Sequence, residues 1–192
     1  FLSALAGMLL SNLCLSVTSL GLVGERENGT FEQMLALPTT PLEIVLGKLL
    51  PYVAVCYGIL FLSTTACGVV FGLWPAGSWL ALFAVTLPFV LASLAIGVLV
   101  SALAHTSAQA VFLTTFIILP SFVLSGVMFP YQLMPTGVRA LGGVFPLRWY
   151  QIALRRIIER GGGFGDVAVP GCALMALFGA LLGALAVLAG LA

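Results

Sequence analysis

Residues 49–104 read LLPYVAVCYGILFLSTTACGVVFGLWPAGSWLALFAVTLPFVLASLAIGVLVSALA and contain no Asp, Glu, Lys or Arg over 56 positions. A helix that crosses the hydrocarbon core of a bilayer, about 30 Å thick, needs about 20 apolar residues. The stretch is therefore long enough for two such helices. The sequence WPAGSW at 74–79 divides it, because Pro and Gly form turns and Trp favours the membrane interface. We predict two membrane helices joined by a short turn.

The rest of the chain has the same character. Of its 192 residues, 61% are hydrophobic and 7% are charged, and the mean hydropathy is +1.22. A soluble domain has about 25% charged residues, so this composition excludes a soluble globular domain and a disordered segment. It also excludes a nucleic-acid binder, whose phosphate contacts need clustered Lys and Arg. Three further runs without a charged residue are 1–24, 106–138 and 167–192.

These runs predict helices rather than strands. Backbone polar groups in lipid must be hydrogen-bonded within the protein, and barrel strands would alternate polar and apolar residues. We therefore predict an all-α fold, a polytopic transmembrane helical bundle. Its five spans are expected at about 1–22, 49–73, 79–103, 108–128 and 167–190.

The start of the chain is unlike a signal peptide. Phe1 lies within an apolar run, with no Met and no basic region before it. We expect the sequence to be truncated at its N-terminus, with an earlier first span missing.

The polar stretch between the first two predicted spans specifies two successive helix starts. Thr30 begins a capping box, so a short helix should start there, and Pro38 should end it. A second capping box starts at Thr40, with Pro41 as the first helical residue and Glu43 as the third. The pattern predicts a short helix on the membrane surface, joined stiffly to a membrane-spanning helix.

The second polar stretch, residues 129–166, is too long for a simple turn and predicts a re-entrant or interfacial segment. Within it, residues 147–160 are typical of an amphipathic helix that lies at the level of the lipid headgroups. Its polar residues recur at spacings of three and four: Arg148, Gln151, Arg155 and Glu159. Its apolar face comprises Leu147, Tyr150, Leu154, Ile157 and Ile158.

Two groups of motifs resemble those of ABC-2 type permeases, the membrane subunits of ABC exporters for drugs, antibiotics, lipids and polysaccharides. The first group is ERENGTFEQ at 25–33, then Pro38, Pro41 and Gly47-Lys48. The second group is SGVMFP at 125–130, then Met134-Pro135 and FPLRWY at 145–150. The resemblance covers nearly the whole chain, in order, and it implies that residues 1–192 belong to a single ABC-2 type transmembrane domain.

The resemblance also implies a role for each polar stretch. Residues 24–48 would form a cytoplasmic coupling segment that docks on a separate ATP-hydrolysing subunit, and 129–166 would lie on the outer side, with short interfacial helices over the mouth of the transport path. The implied contacts with the ATPase are Glu25, Glu27, Thr30, Phe31, Glu32, Leu35, Pro38 and Glu43, and Glu43 with Lys48 would stiffen the joint. The implied residues of the outer interfacial helix are Arg148, Trp149, Tyr150 and Arg155.

The same resemblance implies the assembly and its location. We expect a multi-pass protein of the cytoplasmic (inner) membrane of a bacterium, surrounded by lipid. Its partners would be cytoplasmic ABC ATPase subunits and a second permease subunit, identical or related, so that the transport path forms between two permeases. Nucleic acid is not expected as a partner.

Two absences in the sequence indicate how transport would be driven. The predicted spans contain no Asp, Glu, His, Lys or Arg, although ion-coupled carriers use such residues as relays. The chain also lacks the G-x-x-x-x-G-K-[ST] loop that binds nucleotide. We therefore expect no catalytic residue, cofactor or metal site here, and we expect ATP and Mg²⁺ to be bound by the partner. The alternatives are an ion-gradient-driven transporter or channel subunit and a structural subunit that anchors partners.

The distribution of basic residues disagrees with the expected orientation. Only Arg26 and Lys48 would be cytoplasmic, and the positive-inside rule prefers the reverse. We keep the orientation that the resemblance implies, because the chain is expected to lack terminal regions where orienting charges often lie. The basic residues on the outer side would be Arg139, Arg148, Arg155, Arg156 and Arg160.

Overall fold

A computed structural model describes residues 2–29, 41–72, 79–126, 135–160 and 164–191. Within these ranges the regular secondary structure is entirely helical, as predicted. The helices are α1 (Leu2–Glu27), α2 (Pro41–Phe71), α3 (Trp79–Leu103), α4 (Ser107–Leu124), α5 (Thr136–Gly142), α6 (Pro146–Arg160) and α7 (Phe164–Leu191).

The helix ends follow local sequence signals. Helix α2 begins at Pro41, the first helical position that the second capping box predicts. Helix α1 continues beyond the predicted end of the first span and ends at Glu27, so its last turn is charged. Gly29 follows with φ +69°, a left-handed conformation that glycine adopts without strain. The short helix predicted to start at Thr30 lies outside the described residues.

Within the described ranges, three of the five predicted spans are helices that are long and apolar enough to cross a membrane. They are Gly7–Glu27, Trp79–Leu103 and Ser107–Leu124. The apolar stretches Leu50–Ala66 and Ala168–Leu181, in α2 and α7, are shorter. In α3, 61% of the residues in the most apolar 18-residue stretch are buried, the largest share among the three candidates. In α4 the share is 17%, the smallest. Helix α3 is therefore central and α4 peripheral.

The core forms around α3. It combines buried apolar residues from α1, α2, α3, α6 and α7, including Leu10, Leu60, Phe89, Leu154 and Leu174. Because each of these helices contributes apolar residues to one cluster, the bundle packs as a unit.

Helix α6 has nearly the predicted extent, and it packs against α3. The Tyr150 ring is fully buried and stacks on Phe89 of α3, with 4.0 Å between ring centroids. Its hydroxyl lies 3.1 Å from the Thr86 hydroxyl. Phe89 lies ten residues into α3, about 15 Å along the helix axis. The tyrosine therefore fixes α6 against the middle of α3.

The polar face of α6 is partly covered by a neighbouring helix. Gln151, which belongs to the predicted polar face, is 2% exposed. A Cβ atom on Gly7 of α1 would lie 2.5 Å from Gln151 Nε2, so the absence of a side chain at Gly7 makes room for the amide. Amphipathic spacing identified the two faces of α6, but it did not show that a neighbouring helix covers the polar one.

A second close approach, between α1 and α3, gives a stability prediction. A Cβ atom on Gly97 would lie 2.7 Å from Thr18 Cβ and 3.4 Å from the Leu15 carbonyl oxygen. Neither atom is the end of a flexible side chain, so Gly97→Ala must push the helices apart. We expect the free energy of unfolding to fall by about 1–3 kcal/mol, which lowers the melting temperature by roughly 2–10 °C. Thermal denaturation in detergent measures this.

Gly58→Ala provides the matched control, because no heavy atom lies within 4 Å of a Cβ atom there. It should leave the melting temperature unchanged or raise it, since Ala favours helix. Equal melting temperatures for the Gly97→Ala and wild-type proteins would contradict the close packing.

Candidate functional site

The last turn of α1 is tied to the turn between α3 and α4. The Arg26 guanidinium donates from Nη1 to the Ser101 carbonyl oxygen, at 3.1 Å, near the end of α3. The Glu27 carboxylate accepts a hydrogen bond from the Ser107 backbone N–H, at 2.8 Å, and a second from the Ser107 hydroxyl. These two adjacent residues of α1 thereby contact both helices of the α3–α4 pair.

The Glu27 carboxylate stabilises the start of α4 for a clear electrostatic reason. Ser107 is the first residue of α4, and the first backbone N–H groups of a helix have no partner within the helix. A carboxylate there satisfies one such donor and lies at the positive end of the helix dipole. The Thr106 side chain caps the same helix by accepting from the Gln109 N–H, at 3.3 Å. The backbone N–H groups of Ser107 and Gln109, in the first turn of α4, are therefore hydrogen-bonded to Glu27 of α1 and to the Thr106 side chain.

Apolar contacts reinforce these hydrogen bonds. Val23 of α1 is buried together with Ala104 and Ala110, which lie on either side of the α3–α4 turn, and Leu113 packs against them. His105 in the same turn is exposed, and its backbone N–H donates to Gln109 Oε1 at 3.0 Å. We call the contacts of Arg26 and Glu27 with Ser101 and Ser107, and the apolar cluster beside them, the α1–α4 junction.

Few of the residues predicted to contact the ATPase can be placed. Glu27 belongs to the α1–α4 junction, Glu25 is half-buried two residues earlier, and Glu43 is the third residue of α2. Those that lie outside the described residues are Thr30, Phe31, Glu32, Leu35 and Pro38.

Sequence reasoning missed Ser101 and Ser107. The capping signal at Thr106 was available in the sequence, since a Gln follows three residues later. The contact with Glu27 had no local signal, because 80 positions separate Glu27 from Ser107.

A groove between α1 and α4 contains polar side chains in otherwise apolar helices. Asn12 and Ser16 of α1 are joined by a hydrogen bond of 3.2 Å. The Ser19 hydroxyl lies 3.0 Å from the Thr114 hydroxyl of α4. Together with Thr115 they line a cavity of about 330 Å³. Ser19 and Thr114 are buried between the helices, whereas Asn12 and Thr115 are exposed. Polar groups exposed on a membrane helix are unfavourable unless they have a function, so we regard this groove as part of the candidate site.

The predicted outer residues lie at the opposite end of α4. Trp149 Nε1 donates to the Gly143 carbonyl oxygen at 2.9 Å, and the Arg148 guanidinium lies 5.4 Å from the Trp149 ring centroid. Arg155 Nη2 donates to the Gly126 carbonyl oxygen, just beyond the end of α4, at 3.3 Å. The structure thus places α6 near the end of α4 that is remote from Glu27.

The described residues contain no group of three or more His, Cys, Asp or Glu side chains that could hold a metal ion. The candidate site consists of the α1–α4 junction, the groove between α1 and α4, and the contacts of α6 beyond the end of α4.

Comparison with known proteins identifies the family of the chain. Residues 1–188 match the family described as ABC-2 family transporter protein. The chain is similar to the Probable multidrug ABC transporter permease YbhS of Escherichia coli (strain K12), with 32% identity over 148 residues, 76% of this chain and 39% of that protein. It is also similar to the Probable multidrug ABC transporter permease YbhR of the same strain, with 33% identity over 147 residues, 73% of this chain and 38% of that protein.

A third relative has a different description. The Inner membrane transport permease YhhJ of the same organism is 30% identical over 177 residues, 88% of this chain and 45% of that protein. The chain thus spans less than half the length of these curated relatives. No solved structure matches it.

Proposed function

Because the chain belongs to the ABC-2 family of transporter proteins, we propose that it forms the membrane-spanning part of an exporter permease driven by a separate ATPase. Its long apolar helices make it an integral membrane protein. In the proposed assembly, two permease subunits form the path, and two cytoplasmic ATPase subunits drive its opening and closing. All five apolar segments cross the bacterial inner membrane.

The α1–α4 junction is the observation that supports this proposal best. The proposed coupling segment, residues 24–48, begins in the last turn of α1, where Arg26 and Glu27 bind the α3–α4 turn. Its other end enters α2 at Pro41. A displacement of this segment by the ATPase would therefore act on α2 directly and on α3 and α4 through the junction.

The α1–α4 groove is the proposed contribution of this chain to the path. Its hydroxyl and amide groups, from Asn12 to Thr115, can hydrogen-bond a polar group of a cargo, and its apolar wall can contact an acyl or aromatic part. These properties suit an amphipathic or lipid-like cargo.

Reconstitution tests the proposed function. The full-length protein, purified with its ATPase into proteoliposomes, should move a fluorescent phospholipid only when ATP is present. An ATPase variant without its nucleotide-binding Lys should abolish this movement. Movement that persists without ATP and stops when the proton gradient is collapsed would instead support an ion-driven transporter.

The proposed orientation is tested by labelling of introduced cysteines. Gly162 lies between α6 and α7, and exposed His105 lies in the α3–α4 turn at the end of the bundle where α1 terminates. In a full-length protein without native Cys, we expect a membrane-impermeant maleimide to label Gly162→Cys in intact spheroplasts. We expect His105→Cys to be labelled only after permeabilisation. The reverse pattern would support the orientation that the positive-inside rule prefers.

A further inference from the structure

A small cavity lies among α1, α3, α4 and the start of α6, and three serines line it. It measures about 20 Å³. Ser11 belongs to α1, Ser93 to α3 and Ser121 to α4, and all three are buried. The other described lining residues are apolar, among them Leu15 and Ile96. Hydroxyl groups from three helices therefore surround one space in an otherwise apolar region.

The Ser93 hydroxyl lacks a protein partner, which points to a ligand in the cavity. Ser93 is fully buried, and its Oγ has no hydrogen-bond partner among the described residues. A buried hydroxyl in that condition is unfavourable, because it has lost its bonds to solvent. A helical hydroxyl can avoid this by donating to a carbonyl one turn earlier, as Thr86 of the same helix does to the Leu82 carbonyl oxygen at 2.8 Å. Ser93 makes no such bond, so its hydroxyl is available to a group in the cavity.

The cavity has the size and the chemistry to hold one water molecule. A space of about 10–15 Å³ suffices for one water, so about 20 Å³ fits a single molecule. Each serine hydroxyl supplies one donor and two acceptor lone pairs. Buried waters make about three hydrogen bonds, whereas cavities that stay empty are apolar. Three hydroxyls around one space match this bonding capacity.

We infer that this cavity, which we call the three-serine site, binds one ordered water molecule through hydrogen bonds to Ser11, Ser93 and Ser121. Ser93 lies ten residues before the end of α3, about 15 Å along the helix axis. This distance is about half the thickness of the hydrocarbon core. Hydrogen bonds through water are nearly as favourable in enthalpy as direct ones. The water thus gives α1, α3 and α4 a polar contact that is well separated from the α1–α4 junction.

A dry cavity makes the opposite prediction for one substitution. Without a bound water, Ser93→Ala would remove an unpaired hydroxyl and introduce a better helix former, so stability would be unchanged or higher. With a bound water, the same substitution removes a hydrogen bond and leaves the water with one partner fewer. The sign of the change in stability therefore distinguishes the two cases.

Thermal unfolding of the full-length protein in detergent measures that sign. We expect Ser93→Ala to lower the melting temperature by about 2–6 °C. Ser63→Ala is the matched control, because the Ser63 hydroxyl donates to the Leu60 carbonyl oxygen of its own helix, at 3.0 Å. This control should melt as the wild type does.

Combining the three substitutions tests whether the serines share one ligand. Removing all three hydroxyls makes the cavity apolar, so the water leaves and no hydroxyl remains without a partner. The triple alanine variant should therefore lose less stability than the sum of the losses in Ser11→Ala, Ser93→Ala and Ser121→Ala. Serines that act independently would give additive losses.

A cryo-EM map of the wild-type, full-length protein, at a resolution that shows ordered waters, tests the site without any variant. We expect one density peak at hydrogen-bond distance, about 2.5–3.0 Å, from the three Oγ atoms. A map without that peak, a Ser93→Ala protein at least as stable as the wild type, or additive losses would each overturn the inference. None of these measurements involves ATP or transport, so failure of the three-serine site is distinguishable from failure of the proposed export function.

Discussion

Replacing Thr30, Phe31 and Glu32 together by alanine is expected to uncouple ATP hydrolysis from transport. These residues lie in the proposed coupling segment, between the end of α1 and the start of α2. Coupling free energies between sites are about 1–3 kcal/mol, or about 5–150-fold, so we expect the amount transported per ATP to fall about tenfold or more. The replaced residues lie outside the apolar runs, so insertion into the membrane should be unaffected.

The measurement compares phospholipid movement with ATP hydrolysis in the same proteoliposomes. Thr136→Ala at the start of α5 is the control, because it removes an exposed threonine that lies outside the proposed coupling segment. Unchanged transport per ATP in the triple variant would count decisively against the role of the segment.

Breaking the α1–α4 junction is expected to have the second largest effect. Glu27→Ala removes the acceptor for the Ser107 N–H and hydroxyl. It should lower transport per ATP several-fold, because movement of α1 would then reach α4 only through the remaining contacts, such as those of Val23 and Ser19. It should also speed hydrogen exchange in the first turn of α4, whose donors lose a partner. Glu25→Ala, the same change in the same helix, should leave that exchange as in the wild type.

A proline at position 107 tests the contact from its other side. Proline is favoured at the first helical position and lacks the N–H that Glu27 binds. Thr106 before it has φ −130° and ψ 154°, which a following proline permits. Ser107→Pro should therefore preserve the start of α4 while reproducing the loss of coupling in Glu27→Ala. The double variant should be no worse than either single one, and additive losses would show that the two residues act separately.

The sequence predicted the fold better than it predicted the site. Charge-free runs indicated membrane helices because charge in a bilayer is costly, and the start of α2 at Pro41 followed from a local cap. The extent of α6 was likewise predicted from its periodicity.

The surroundings of α6 were not predicted. Periodicity indicates which residues share a face of a helix, but it does not indicate which other helix contacts that face. Gln151 fits inside the bundle since residue 7, in another helix, is a glycine. Glu27 and Ser107 meet for a similar reason: the bundle brings together positions that the chain keeps far apart.

The burial of Tyr150 has a consequence for biogenesis. Helix α6, which carries this ring, completes a core whose remaining members come from α1, α2, α3 and α7. While a ribosome is still synthesising the segment before residue 146, α1 and α3 are already in the membrane, but the surfaces that α6 later covers have no partner there. Such contacts between distant positions form late. The inserted helices therefore remain incompletely packed until α6 is made. A nascent chain arrested before residue 146 should be a substrate for membrane proteases.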